Sequence, residues 1–286
     1  MKKNTKCRIC KECNGYGCIG ELPGMGGVFE NANFIANCAD WKKYYSASDK
    51  NYLPKIRLAP MAGGIENAGY FDERQFYFDL IKGAINAGIP LSIGDGTPDE
   101  KLFFALDALK LYNKKAAVFF KPYPQKKIFD RIELALNVAE IIGVDIDAYN
   151  ILTMRHLAHL EKKTAEDLKA LRKKAKLPFA VKGIFTLSDM ELVKELKPEI
   201  AIISNHGGRI ETERGSTADF AFFHLKEIAR YAGEVWIDGG LRKREDFIAA
   251  GTLGASEVLL GRPCITALLT DKETGIKNMI RKINIK

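Results

Sequence analysis

Eight short apolar runs alternate with helix-forming stretches along this chain, and that alternation restricts the fold more than any other feature. The runs are Ile56–Ala62, Pro90–Gly94, Ala116–Tyr123, Val144–Ala148, Phe179–Ile184, Ile200–Asn205, Glu234–Gly239 and Glu257–Gly261. They are rich in β-branched and aromatic residues, as buried strands require. Between them lie Glu73–Ala87, Asp99–Tyr112, Lys127–Ile142, Thr164–Lys176, Ser188–Leu196, Asp219–Tyr231 and Arg244–Thr252, each with helical character. In the first of these, Phe76, Leu80, Ile81 and Ala84 fall on one helical face. Thr164-Ala-Glu-Asp and Ser188-Asp-Met-Glu have the hydroxyl-first, acid-three-later pattern of a capping box. Strict alternation predicts an α/β fold, a parallel sheet closed as a (β/α)8 TIM barrel. An open doubly wound sheet competes, but no G-x-G-x-x-G follows the first run, which weakens its dinucleotide-binding form.

A barrel of this kind carries its chemistry where the strands end. The residues there are Pro60, Met61, Ala62 and Gly63; Ser92; Lys121 with Tyr123; Asp147; Lys182; Ser204 with His206; Asp238, Gly239 and Gly240; and Gly261 with Arg262. Six of the eight exits carry a charged residue or a histidine, which strands serving only the fold would not need. His206 and Arg209 stand three apart after the sixth run. An imidazole takes a proton near neutral pH, and a guanidinium grips a carboxylate with two parallel bonds. Proton abstraction from a small organic acid is the chemistry this pair suggests. The loops after runs seven and eight, Asp238–Arg242 and Gly261–Pro263, pair glycines with arginines where barrels commonly seat a phosphate. A phosphate-bearing cofactor is therefore expected.

At 286 residues and 47% apolar content, the chain can fill one large barrel core. Its net charge of +8 is spread over helix faces among glutamates, so nucleic acid is not an expected partner. No apolar run is long enough for a membrane span, and the basic N-terminus lacks an apolar segment behind it. A cytoplasmic protein is the default expectation.

The segments Leu177–Gly183, Ser204–Arg209 (Ser-Asn-His-Gly-Gly-Arg), Asp238–Arg242 (Asp-Gly-Gly-Leu-Arg) and Leu253–Pro263 resemble, in order and spacing, the FMN-dependent 2-hydroxy-acid oxidase and dehydrogenase family. That family includes glycolate and lactate oxidases, and the similarity runs from about Ile56 to Pro263. The resemblance implies an FMN cofactor and oxidation of a small 2-hydroxy acid to the 2-oxo acid. His206 would be the base, Arg209 would bind the carboxylate, Asp147 would support His206, and Tyr123 would hydrogen-bond the substrate. Lys182 would stand beside the flavin and favour its anionic reduced form. Pro60, Met61 and Ala62 would pack by the ring, with Ser92, Lys121 and Ser204 as polar contacts. Asp238, Gly239, Gly240, Arg242, Gly261 and Arg262 would hold the ribityl chain and phosphate. Relatives are often tetramers, so a homo-oligomer is expected; the electron acceptor is left open.

Each role has a plainer alternative: Lys182 as an interior lysine paired with an acid, Tyr123 as a rim aromatic, Asp147 as a helix cap. The chain also departs from the family pattern. Lys121 stands where a glutamine is common and Asp145 where a threonine is usual, so the two could pair with each other or retune the flavin. The family's N-terminal tyrosine has no motif-matched counterpart among Tyr44, Tyr45 and Tyr52. Residues 1–52 are read as a cysteine-rich N-terminal extension and 53–286 as the FMN-binding barrel. Within the extension, Cys7, Cys10, Cys13 and Cys18 are spaced to close around one metal, either zinc or an iron–sulfur cluster, with free or redox-active thiols as the alternative. Cys38 and Cys264 are expected to be packed thiols. Two other functions compete: an FMN-dependent isomerase resembling type 2 isopentenyl diphosphate isomerase, and a non-catalytic flavin or metal redox sensor.

Overall fold

The computed structural model describes residues 32–45, 52–151, 158–210 and 212–284. Cys7, Cys10, Cys13 and Cys18 lie outside them. Eight parallel strands form one sheet: β1 (Lys55–Leu58), β2 (Ser92–Gly94), β3 (Ala116–Phe120), β4 (Ala139–Asp145), β5 (Phe179–Ile184), β6 (Ile200–Ile203), β7 (Glu234–Ile237) and β8 (Glu257–Leu260). Neighbours follow chain order around the sheet, and β8 returns to β1 with Ile56 opposite Val258. The remaining seam, between β1 and β2, is bridged where Leu58 N–H donates to Pro90 O at 2.9 Å. The expected (β/α)8 barrel is the fold.

Helices cover the outside: α2 (Gly64–Ala68), α3 (Glu73–Ala87), α4 (Glu100–Leu111), α5 (Gln125–Ala135), α6 (Ala165–Ala175), α7 (Leu187–Leu196), α8 (Thr217–Ile228), α9 (Arg244–Leu253) and α10 (Arg262–Asn284). One further helix, α1 (Ala32–Asp40), runs into a 3-10 turn at Trp41–Tyr44 and precedes the barrel. Because helices sit on the outer face and side chains fill the inner one, the strands are buried on both sides. Ala117, Phe119, Ala180, Ile202, Trp236 and Leu259 belong to the interior cluster. The outer faces of the strands and the inner faces of the helices make the larger core.

Two boundaries differ from the sequence expectation. The helix expected over Lys127–Ile142 stops at Ala135, and the fourth strand, expected at Val144–Ala148, begins at Ala139. Ala139–Asp145 carries Ile141, Ile142 and Val144, and pairing with β3 and β5 on both edges outweighs its weak helical period. The capping box at Thr164 and Asp167 forms as expected. For α7 the cap is Thr186 with Asp189, two residues earlier than the Ser188 pattern suggested.

Candidate active site

A cavity of about 340 Å³ opens where the strands end. Its walls include Ala59, Pro60, Met61, Ala62 and Leu259, an apolar surface suited to a flat ring. Lys121, Asp145, Lys182, His206, Arg209, Asp238, Gly239, Gly240, Arg242, Gly261 and Arg262 line the rest. Most of the residues singled out from the sequence thus meet in one place.

His206 follows β6 in a 3-10 turn, His206–Gly208, entered with φ 56° at His206 itself. A histidine tolerates this left-handed conformation better than a branched residue would. The turn is held at its start, where His206 N–H donates to Ser204 Oγ at 3.1 Å, and at its end, where Gly208 N–H donates to Asn205 Oδ1 at 2.9 Å. His206 Nδ1 lies 3.2 Å from Asp147 Oδ1. Burial, reinforced by the positive charges of Lys182, Arg209 and Lys121 against the opposing Asp145, pushes the imidazole down to about 3. His206 is therefore neutral, the form a base needs. Burial likewise raises the Asp147 carboxyl to about 6, against the pull of Lys182. Asp147 occupies the N-cap position of the turn Ala148–Asn150 without capping it, so the plainer reading of a helix cap does not hold.

Lys182 is both things the sequence allowed. It lines the cavity, and inside the barrel it pairs with Asp145 at 3.1 Å and Asp238 at 3.5 Å, with Ser204 Oγ at 3.2 Å. Burial works against its charge, but Asp145, Asp238 and Asp147 outweigh it and hold the ammonium above its usual range. Asp145 therefore partners Lys182, and the Lys121–Asp145 pairing allowed by the sequence does not form. Lys121 turns instead to the buried Asp95, whose carboxylate also takes Arg131 and the Lys121 backbone N–H at 2.9 Å.

Beside the His206 turn the cavity is cationic. Arg262 begins α10, donates to Gly207 O at 3.0 Å and stacks 4.5 Å over the Phe34 ring. Burial, then the neighbouring Arg209 and Arg242, push its guanidinium down to about 9. Arg209 is pushed down to about 10 by burial, and its Nη2 donates to Asn67 Oδ1 at 3.1 Å. Three guanidiniums so crowded favour an anion between them. Gly239 and Gly240, both with positive φ, present backbone beside them. Asp238 Oδ1 is buried and accepts no hydrogen bond among the described residues, so a ligand hydroxyl would satisfy it. An apolar wall, an unsatisfied carboxylate oxygen and a cationic end fit a planar ligand with a polar chain and a phosphate.

Three residues expected to contact cofactor or substrate are not among those lining the cavity, Ser204 being buried between Lys182 and the His206 backbone. Tyr123 is fully buried outside the cavity wall, 3.2 Å from Thr97 Oγ1 and packed under Arg131 and Lys127. Ser92 on β2 is buried, has no hydrogen-bond partner among the described residues and does not line the cavity. Of the tyrosines, Tyr44 bonds Asp219 at 2.8 Å, Tyr45 bonds Asp246 at 2.5 Å, and Tyr52 faces solvent, so none reaches the site. Residues not foreseen also line the cavity, namely Asn67, Thr97 and Lys101. Cys38 and Cys264 are buried, packed thiols, as expected.

Comparison with known proteins agrees with this geometry. Residues 125–285, more than half the chain, match the family model described as FMN-dependent dehydrogenase. Glycolate oxidase 2 of Oryza sativa subsp. indica is 37% identical over 121 residues, 41% of this chain and 32% of that protein. The 2-hydroxyacid oxidase of Dictyostelium discoideum is 35% identical over 121 residues, 42% of this chain and 31% of that protein. These matches span about a third of the relatives' own length. A lactate oxidase of Pediococcus acidilactici superposes with a TM-score of 0.71 at 18% identity, covering 89% of this chain and 80% of that one. A mandelate oxidase solved with (S)-2-phenylpropionate gives 0.68 at 20% identity, covering 89% and 83%. At such identities the superpositions speak for the barrel alone. The family model, spanning α5 to α10 and with them the His206 turn and both glycine loops, shows that the chain belongs to the FMN-dependent dehydrogenase family.

Proposed function

We propose that the protein oxidises a small 2-hydroxy acid to the 2-oxo acid with FMN as its cofactor. The observation that carries this reading is a neutral, half-buried His206 held to Asp147 in the same cavity as the half-buried Arg209. Arg209, steadied by Asn67, would receive the substrate carboxylate. With Nδ1 turned to Asp147, His206 keeps Nε2 for the proton that leaves the hydroxy acid. The nearby Asp147 carboxylate then stabilises the imidazolium. Lys182, pinned by Asp145 and Asp238, keeps a fixed positive charge at the barrel mouth. Replacing Lys182 by a neutral residue would strand the buried Asp145 at a cost of about 3–5 kcal/mol, whereas loss of Asp145 leaves Lys182 its Asp238 partner. Arg242, Arg262 and the Gly239–Gly240 backbone would hold the phosphate of FMN, and Asp238 a hydroxyl of its ribityl chain. Bound FMN would supply the two-electron acceptor that this oxidation requires.

The test is anaerobic mixing of purified holoprotein with glycolate, lactate and other 2-hydroxy acids while the visible flavin band is followed. Bleaching by at least one acid is the expected result. A yellow protein that no hydroxy acid bleaches would favour the isomerase or sensor instead, and a protein unable to take up FMN would overturn the reading.

The two titrations also set a pH dependence. As pH falls, Asp147 gains a proton near 6 and can no longer stabilise an imidazolium, while His206 stays neutral until about 3. The acid limb of kcat/KM should therefore lie near pH 6 and vanish in Asp147→Asn, leaving a lower but level rate as pH is reduced further. A limb that persists in Asp147→Asn would mean that His206 itself titrates there.

Cys7, Cys10, Cys13 and Cys18 are proposed separately as ligands of zinc or an iron–sulfur cluster, supported by their spacing. Metal analysis of protein purified without air tests this. One equivalent of zinc, or about two to four of iron with matching sulfide, lost when the four are replaced by serine, is expected.

A further inference from the structure

Asn37 lies on α1, well outside the stretch that matches the family, and is fully buried. Its side chain makes bonds in two directions. Asn37 Nδ2 donates to Asn205 Oδ1 at 2.7 Å, and Asn205 Nδ2 donates back to Asn37 Oδ1 at 3.2 Å. Asn37 Oδ1 also accepts from Thr217 N–H at 2.9 Å, the first residue of α8. The backbone of the same residue packs on the other loop of the site, for a Cβ added to Gly240 would lie 1.8 Å from Asn37 O. Four residues earlier on the helix, Asn33 Nδ2 donates to Ile210 O at 2.6 Å and Asn33 Oδ1 accepts from Gly215 N–H at 2.9 Å. Trp41 Nε1 donates to Gly239 O at 2.8 Å. One face of α1 and the turn behind it therefore tie together the loop that carries His206 and Arg209 and the loop that carries Gly239 and Gly240.

From this geometry we infer that Asn37 is a positioning residue for His206, acting through Asn205. The inference rests on the proposed role of His206. Asn205 Oδ1 is the acceptor that closes the His206–Gly208 turn, and it stays turned toward Gly208 N–H because Asn37 offers a donor to the oxygen and an acceptor to the amide nitrogen. Without the Asn37 donor, the bond of Asn205 Nδ2 to Gly215 O at 3.4 Å is the main remaining restraint on the amide outside residue 37, and rotation would present its nitrogen to Gly208 N–H, two donors face to face. The turn then keeps Gly208 N–H on the Asn205 backbone O at 3.0 Å but loses the side-chain bond. With it goes the constraint that holds His206 at φ 56° and Nδ1 beside Asp147.

The variant that tests this is Asn37→Asp, which keeps the shape and the acceptor for Thr217 but replaces the donor with a second acceptor. The holoprotein would be followed by Gly208 amide hydrogen exchange, by His206 imidazole resonances among the chain's four histidines, and by kcat and KM per bound FMN. Gly208 exchange should accelerate by about tenfold or more, and the His206 resonances should shift. With a turned-over acid, kcat per bound FMN should fall about tenfold or more while KM changes less than about threefold. Asn37→Ala should do the same; if it does not fold, Asn37→Asp alone carries the test. A lower melting temperature with unchanged kcat per bound FMN and unchanged Gly208 exchange would reduce Asn37 to a packing residue and overturn the inference. Should the wild type oxidise no hydroxy acid, exchange and imidazole shifts still decide it. A change in both supports positioning while the proposed reaction fails, and no change sinks the positioning itself.

Discussion

Replacing His206 by asparagine is expected to lower kcat/KM for the hydroxy acid by about 10²- to 10⁴-fold, the usual worth of a positioned general base. By the factor of ten for each 1.36 kcal/mol, that is about 3–5 kcal/mol of transition-state stabilisation. Asparagine is chosen because residue 206 has φ 56°, a conformation that asparagine also accepts, so the change removes the imidazole without straining the turn. The cationic end of the cavity, at Arg242 and Arg262, is untouched, and FMN content should stay at the wild-type level. Steady-state kinetics on flavin-matched preparations make the measurement. A loss smaller than about tenfold would remove His206 from the role of base and strengthen the isomerase, which does not need His206 and Arg209 together.

Gly240→Ala should produce the largest loss of stability of any single-methyl addition considered for this site. The new Cβ would stand 1.8 Å from Asn37 O, 2.2 Å from Asn37 C and 2.8 Å from Cys38 N, all backbone atoms of α1 that no rotamer change can move. Residue 240 also has φ 79°. The left-handed conformation costs alanine about 1–2 kcal/mol, and overpacking adds roughly 1–3 kcal/mol or more. Relief requires α1 to lift from the barrel. Thermal unfolding should fall by roughly 5–15 °C, with weaker FMN binding, since Gly240 lines the cavity beside Arg242. Gly88→Ala is the control: its φ is 71°, yet nothing lies within 4 Å of an added Cβ. It should cost only the conformational part. Equal losses for the two would show that α1 does not pack on Gly240 as described; equal FMN affinity in Gly240→Ala and wild type would separate that loop from the phosphate.

The features legible in the sequence are those that depend on residue type and short-range spacing. Strand–helix alternation is one. The polar residues at strand exits are another, because a barrel puts every strand exit on one face, and knowing the exits is enough to gather His206, Arg209, Lys182, Asp238 and Arg262. Asn33 and Asn37 carried a weaker signal. They stand four apart, on one face of a helix, but inside a segment read only as an extension. Nothing local says that this face meets the loops after β6 and β7, more than 160 residues away in the chain.

Partner choice was beyond the sequence for the same reason. Asp145 could have met Lys121 or Lys182; the register that sets Asp145 opposite Lys182 across β4 and β5 decides it, while Asp95 captures Lys121. Tyr123 follows β3 at the right face, yet the Arg131 guanidinium, 4.3 Å over its ring, keeps it packed beneath the site. The sequence by itself determined the barrel, the glycine- and arginine-bearing loops after the last two strands, and the placing of His206 and Arg209 at one strand exit, because periodicity and residue chemistry are local properties. Only the tertiary structure decided which acid neutralises which lysine, which tyrosine stays out, and that a helix before the barrel bonds to the loops after β6 and β7. Those are contacts between segments far apart in the chain, fixed by strand register and packing.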